Sequence, residues 1–297
     1  MSNFPSARCL LCNERNSIVP AGFHQVYPQK DSDPVLLDWW ECGTCKGWFV
    51  HPFPTPEVIE RHWGLVEYND PKLAIEIARA KVGVNQRILA GLSRWTKPGP
   101  LLDFGCNFGQ FLVMAREAGW DPVGFDPYET AAEIARSKGF DVRCGWSLVE
   151  AGFPEGYFAA ITANDVFCLV WDPVGVLQTF YRLLRPGGVL GMRLTNKRFI
   201  LGLLRSFSRP GAARDHRISY ILQGQFRSIG LASLTRIMRG LGFDSIEVKS
   251  RAVTAPWSAL RWQTQIAYVG AEIVRFLSLT KLNLSPGVLL FARKATS

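Results

Sequence analysis

From Gly99 onward the sequence alternates between short strand-like runs and helical runs, and no other feature narrows the fold as far. LLDFG reads as a strand, Phe108 to Ala118 as a helix, PVGFD as a strand, Tyr128 to Lys138 as a helix and FDVRC as a strand. After a turn-rich stretch, YFAAITAND reads as a buried strand and Val174 to Leu184 as a helix, and VLGMRLT is a strand beyond a Pro-Gly-Gly turn at Pro186 to Gly188. Ser228 to Leu241 is a helix ending at Gly242, and DSIEVKS and GVLLFARK are the last strands. Such alternation predicts an α/β fold, with parallel strands joined by right-handed helical crossovers and helices on both sheet faces. At 297 residues and 47% hydrophobic composition the chain can bury a large core, which excludes disordered and low-complexity classes.

Ahead of this pattern lie two further segments. In Asp70 to Trp95 the residues Leu73, Ile77, Ala80 or Lys81, Val84, Ile88 and Leu92 keep helical spacing, which predicts a leading helix. Before it, Cys9-Leu-Leu-Cys12 and Cys42-Gly-Thr-Cys45 form two knuckles able to supply four thiolates to one tetrahedral zinc. HQVY and VLLDWWEC between them are strand-like and can form a hairpin, and the proline-rich HPFPTPE reads as a rigid exit. A module this small has little core, so metal would supply much of its folding energy. A closed four-thiolate site leaves no position for substrate, so the expected zinc is structural. The domain parse is therefore a zinc ribbon over 1–56, a linker and leading helix over 57–98, and the α/β domain over 99–297 with a helical insertion at 252–285.

LLDFGCNFGQFL places Asp103, Gly105, Asn107 and Gly109 at the first strand-to-helix turn, where small residues let backbone amides approach a ligand. About twenty residues on, Asp126 ends the next strand, where a carboxylate can accept from two ribose hydroxyls. The nicotinamide-binding spacing Gly-x-Gly-x-x-Gly is not met, because Gly105 and Gly109 lack the third glycine. Asp103 to Gly109 resembles the Asp-x-Gly-x-Gly-x-Gly signature of the class I S-adenosylmethionine-dependent methyltransferases, with Asn107 in place of the middle glycine. YFAAITANDVF is similar to that family's fourth strand, and YRLLRPGGVLGM to the residues entering its fifth. The resemblance implies a Rossmann-like seven-stranded methyltransferase sheet whose last strand is antiparallel, inserted between the fifth and sixth. It implies that Asp103, Gly105, Cys106, Asn107 and Gly109 surround the methionine and ribose part of S-adenosylmethionine, that Asp126 grips ribose, that Pro127 and Tyr128 flank adenine, and that Asn164 approaches from the fourth strand. The family's frequent Glu-His pair after the fourth strand is absent, since Phe167, Cys168 and Leu169 stand there. GWFVHPFPTPEVIERHWGLVEY resembles the link in bacterial members that begin with a zinc ribbon, which places Tyr68 near the cleft and suggests small-molecule, sugar or lipid-linked acceptors.

Charge is unevenly distributed. Met1 to Val189 carries 17 basic and 21 acidic side chains (net −4), whereas Leu190 to Ser297 carries 17 basic and 4 acidic (net +13). Such a field favours an anionic acceptor or partner. Arg193, Lys197, Arg198, Arg205, Arg209, Arg214 and Arg217 lie in this part and can grip phosphate. Of the four histidines, His24 and His51 sit with the ribbon and His62 in the linker; His216, with Tyr220 as the second candidate, is the expected base if the acceptor needs one.

In Trp257 to Leu279 an amphipathic helix places Trp262, Ile266, Val269, Ile273 and Phe276 on one stripe and Arg261, Gln265, Glu272 and Arg275 on another. This helix reads as a lid, as a packing or dimer helix, or as a membrane-surface helix; FILGLLRSF and the insertion tryptophans support the last. No stretch is apolar enough to span a bilayer, and MSNFPSARCL lacks the pattern of a secretory signal. The expected location is cytoplasmic, with peripheral contact at the inner membrane surface. The leading function is methyl transfer to a small or lipid-linked anionic acceptor; the alternatives are an RNA methyltransferase and a non-catalytic zinc-ribbon binding protein.

Overall fold

Hydrophobic runs of strand length alternate with amphipathic helices, and in the computed structural model they form the elements their periodicity calls for. The structure describes residues 8–66, 71–196, 201, 211, 216–218, 221–222, 224–250, 262–277 and 285–296. In chain order these hold β1 (Ile18–Gln29), β2 (Ser32–Cys42), β3 (Trp48–Val50), α1 (Pro56–Val66), α2 (Pro71–Ser93), β4 (Pro100–Phe104), α3 (Gln110–Glu117), β5 (Asp121–Asp126), α4 (Glu129–Ser137), β6 (Val142–Cys144) and β7 (Phe158–Asn164). They continue with α5 (Pro173–Leu183), β8 (Leu184–Thr195), β9 (Arg227–Ser228), α6 (Leu231–Gly240), β10 (Phe243–Lys249), α7 (Trp262–Leu277) and β11 (Gly287–Lys294). The chain divides into two units: residues 1–69, 168–174 and 196–237 form one, and residues 70–167, 175–195 and 238–297 the other.

The larger unit carries a seven-stranded sheet of order β10-β11-β8-β7-β4-β5-β6. β8, β7, β4, β5 and β6 pair in parallel, while β11 is antiparallel to both β8 and β10. The last strand thus enters between the fifth and sixth strands of this sheet, as the resemblance implies. Parallel strands bury both faces, and the central ones read accordingly: β7 keeps Phe158 to Ala163 buried in unbroken sequence. Val84, Ile88 and Leu92 of α2, one helical stripe, pack with Phe111, Leu101 and Phe291. The Pro-Gly-Gly turn is not a simple break between helix and strand. Phe158 pairs with Leu184 and Ala160 with Val189, so Arg185 to Gly188 bulge out of the β7–β8 ladder.

In the smaller unit, β1 and β2 form an antiparallel hairpin much longer than HQVY and VLLDWWEC suggest. β1 alternates, with Ala21, Phe23, Gln25, Tyr27 and Gln29 buried and the residues between them exposed, the pattern of a sheet with one wet face. Gln25 is accommodated by hydrogen bonds, accepting from the Trp39 indole at 3.2 Å and donating to the Leu222 carbonyl at 3.4 Å. The sheet order is β1-β2-β3-β9, and its fourth strand comes from Arg227 and Ser228, far along the chain. The Arg227 side chain is buried and donates to the carbonyls of Val170 (2.9 Å) and Trp171 (3.1 Å). Burial lowers its pKa to about 10. The ribbon unit therefore draws in segments at 168–174 and 196–237 that a cut at residue 56 leaves with the α/β domain.

The apolar stripe of α7 differs from a core-packing expectation. Ile266 (60%), Val269 (43%), Ile273 (54%) and Phe276 (79%) are exposed, while Tyr268 and Ala271 are buried. The helix turns inward the face that carries a hydroxyl able to meet buried Arg193 and a small residue that permits close approach. The side chains of Trp262 and Arg275, and residues 251–261 and 278–284, lie outside the described set.

Close packing of α2 on β11 yields a prediction. A Cβ at Gly91 would lie 2.1 Å from the Phe291 ring. Gly91→Ala should therefore destabilise the chain by about 1–3 kcal/mol in chemical denaturation, despite the higher helix propensity of alanine.

Candidate cofactor cradle and zinc centre

The strand β4 ends in a turn whose backbone only certain residues tolerate. Gly105 has φ +79°, and Asn107 takes φ 51°, a left-handed conformation for which asparagine is among the better side chains. The amides of Gly105 (2.7 Å) and Cys106 (3.2 Å) donate to the Phe125 carbonyl, tying the turn to the neighbouring strand. At the end of β5, Asp126 accepts the Asn107 amide on Oδ2 (2.7 Å) and the Tyr128 amide on Oδ1 (3.0 Å). An ionised carboxylate has about four lone-pair sites. Both oxygens thus keep accepting capacity at a position held by backbone on each side. Burial raises the Asp126 pKa to about 6, against the two amides that lower it.

Asp103 stands one position inside the end of β4, directly across from Thr162 of β7. The Thr162 hydroxyl donates to Asp103 Oδ1 at 2.7 Å. Burial pushes the Asp103 pKa up to about 7; the Asp126 charge adds to this, whereas Thr162 and Lys81 oppose it. At the end of β7, both polar atoms of the Asn164 amide are buried and make no hydrogen bond among the described residues. Buried amides in folded proteins are nearly always satisfied, so this one fits a bound polar ligand. Gly124 opens the same region: a Cβ there would lie 2.6 Å from Cys106 Sγ.

In the smaller unit, Cys9, Cys12, Cys42 and Cys45 place their sulfurs within 4.8 Å of one another. Cys9 and Cys45 lie 3.5 Å apart, as do Cys12 and Cys42, and all four are free thiols. A zinc tetrahedron with bonds of about 2.3 Å requires sulfur separations of about 3.8 Å, so the set fits that ion. The two knuckles share one backbone design. Asn13 (φ 63°) donates to the Cys9 carbonyl at 2.8 Å and Lys46 (φ 57°) to the Cys42 carbonyl at 2.8 Å. The Cys45 amide points at Cys42 Sγ (3.5 Å) and the Gly47 amide at Cys45 Sγ (3.4 Å), the donors a thiolate needs.

A family model described as a methyltransferase domain matches residues 80–248, more than half of the chain. The chain belongs to this methyltransferase family. The nocamycin O-methyltransferase of Saccharothrix syringae is 39% identical over 107 residues, covering 32% of this chain and 38% of that one. The chain therefore matches less than two thirds of the length of that curated relative. Among solved structures, an S-adenosylmethionine-dependent enzyme of Thermotoga maritima, described as a possible histamine N-methyltransferase, is 18% identical. It covers 78% of this chain and 99% of its own, with a TM-score of 0.49. Phosphoethanolamine N-methyltransferase 2 of Haemonchus contortus is 15% identical, with coverage of 82% and 62% and a TM-score of 0.48.

The larger unit contains Asp103, Gly105, Cys106, Asn107, Gly109, Asp126, Pro127, Tyr128 and Asn164, and the smaller unit contains the four cysteines. Arg193 is buried in β8, where it pairs with Asp165. His216 is exposed and belongs to the smaller unit, as does exposed Arg217. Tyr68, Tyr220, Lys197, Arg198, Arg205, Arg209 and Arg214 lie outside the described residues. Thr162, Asp165 and Tyr268 were not singled out by sequence; the signal for Thr162 is the strand register, which sets it opposite Asp103.

The buried Asp103 makes stability depend on pH. Its raised pKa means that the neutral form is favoured in the fold, a contribution complete below the unfolded carboxyl value and lost as pH rises through about 7. Asp103→Asn escapes that loss and can still accept from Thr162. The Tm of the variant relative to wild type, measured without cofactor, should rise between pH 5 and pH 8; a difference independent of pH would contradict the assignment.

Proposed function

We propose that the protein transfers a methyl group from S-adenosylmethionine to a small-molecule, sugar or lipid-linked acceptor that carries an anionic group. S-adenosylmethionine, the cofactor of the family, supplies a methyl already activated on a sulfonium, so the chain's own task is mainly to position donor and acceptor in line. The observation that carries the reading is Asp126: a buried carboxylate fixed by the Asn107 and Tyr128 amides, with accepting capacity for two ribose hydroxyls. Asp103, Gly105, Cys106, Asn107 and Gly109 would line the methionine and ribose part, Pro127 and Tyr128 would flank adenine, and Asn164 would satisfy its buried amide on the cofactor. Zinc held by Cys9, Cys12, Cys42 and Cys45 would fold the ribbon and take no part in the chemistry.

The match to an O-methyltransferase favours an oxygen acceptor, which needs a base. We propose His216 for that role, with Tyr220 second. The exposed stripe of α7 supports peripheral contact with an anionic membrane, alongside the net +13 charge of residues 190–297. Among the described residues no helix is long and apolar enough to cross a membrane.

Losing charge-assisted hydrogen bonds to both ribose hydroxyls should weaken binding of S-adenosylhomocysteine to Asp126→Ala by about a hundredfold or more in calorimetry. Unchanged affinity would sink the ribose assignment. With a labelled methyl donor and cell extract, wild type should label the lipid or small-molecule fraction; label confined to RNA would overturn the acceptor class. At low salt the protein should float with phosphatidylserine vesicles, and Ile273→Ser/Phe276→Ser should float less; indifference to the vesicles would remove the membrane proposal.

A further inference from the structure

The last residue of β7 has no hydrogen bond to orient its side chain, and the residue after it is held by amide and carboxylate together. Both polar atoms of the Asn164 amide are buried and make no hydrogen bond among the described residues. The direction in which that amide points is therefore set by the backbone around it. Asn164 stands across from Arg193 of β8. Asp165 extends this ladder by one bond, its amide donating to the Arg193 carbonyl at 3.1 Å. The chain then turns sharply, because Asp165 has φ 64°, in the left-handed region.

The carboxylate oxygens of Asp165 meet two different elements. Oδ1 pairs with Arg193 Nη1, so one residue of β8 holds Asp165 through both its carbonyl and its guanidinium. Oδ2 lies 3.8 Å from Lys81 Nζ of α2. Both anchors are firmly seated. β8 pairs with β7 on one side and β11 on the other, and Arg193 is 8% exposed. α2 packs into the core through Val84, Ile88 and Leu92. Aspartate meets both demands of the position, since it is one of the few side chains that visit left-handed angles and its charge strengthens the bonds to both cations. A strained residue persists where its surroundings enforce it, and such residues cluster at ligand sites. This turn lies at the carboxyl end of a parallel strand next to β4, where open α/β sheets bind ligands.

We propose that Asp165 is a positioning residue for the cofactor: held by Arg193 and Lys81, it fixes the backbone that aims the Asn164 amide. The proposal rests on the methyl-transfer reading, in which Asn164 meets S-adenosylmethionine. It also gives the leading helix a function, because Lys81 makes α2 one of the two supports of that strand end. A side chain that waits unbonded for its ligand needs such outside support to be in place before binding.

The test is a double-mutant cycle of Asp165→Asn and Asn164→Ala in the full-length protein, read as calorimetric affinity for S-adenosylhomocysteine. Asparagine tolerates the left-handed backbone, so Asp165→Asn removes the charge alone. It should weaken binding about tenfold in the wild-type background and less than about twofold where Asn164 is already alanine, because a residue acting through another then has nothing to position. A general loss of structure would weaken both backgrounds equally. Should Asp165→Asn fail to fold, Lys81→Met repeats the cycle at the more exposed partner, with a loss of about threefold that again depends on Asn164. The Lys81 charge also reaches Asp103, and an effect carried by that route would persist in Asn164→Ala. Without cofactor, the protection of the residue 165 amide against hydrogen exchange should fall about tenfold in Asp165→Asn and also fall in Lys81→Met. Equal losses of affinity in the two backgrounds, or unchanged protection at residue 165, would overturn the proposal and leave the methyl-transfer reading standing. Wild-type affinity in Asn164→Ala would instead remove Asn164 from the cofactor site, and failure of wild type to bind would strike the methyl-transfer reading; the positioning role falls with either.

Discussion

The carboxylate of Asp126 does two jobs with one group. By accepting the Asn107 and Tyr128 amides it locks the turn after β4 to the turn after β5, and these two turns define the cradle. The turn cannot relax without losing charge-assisted bonds at a buried site, and the left-handed backbone of Asn107 is maintained against its intrinsic preference by that constraint. Burial also keeps the acid near neutrality in its proton affinity, so a ligand that offers hydroxyl donors to the ionised form changes the group's charge as well as its contacts.

The parallel sheet was largely readable because its signals are local. Runs such as YFAAITAN can be satisfied only by a strand buried on both faces, and the stripe Val84, Ile88, Leu92 only by a helix lying on such a sheet. The turn after β4 and the acid that ends β5 were readable for a related reason, since a turn of small residues and an acid about twenty positions later reflect one strand-turn-helix unit and the next strand. Features made by distant segments were not. β9 is two residues long and has no period of its own; only pairing of Phe49 with Arg227 reveals it as the fourth strand of the ribbon sheet. Thr162 gains meaning only when register sets it against Asp103.

The helix α7 shows a different limit. Amphipathic spacing locates an apolar stripe but not what faces it. Here Tyr268 and Ala271 face inward, with Arg193 acting on the Tyr268 hydroxyl, while Ile266, Ile273 and Phe276 face outward. The ribbon makes the converse point. The spacing of its four cysteines points to one cluster and their sulfurs do lie together, yet the unit that contains them is larger than the knuckles and hairpin, because Arg227 and the segments at 168–174 and 196–237 complete it.

The central claim is that the cradle of Asp103 and Asp126 receives the methyl donor, and proton exchange on binding tests it most directly. Calorimetric titration of wild type with S-adenosylhomocysteine, repeated at each pH in buffers of different ionisation enthalpy, counts the protons released. Because ribose hydroxyls favour the ionised form of an acid whose pKa is raised to about 6, binding should release protons at pH 6 and the release should fade by pH 8. Binding at pH 6 with no proton exchange, or no binding at all, would contradict the account.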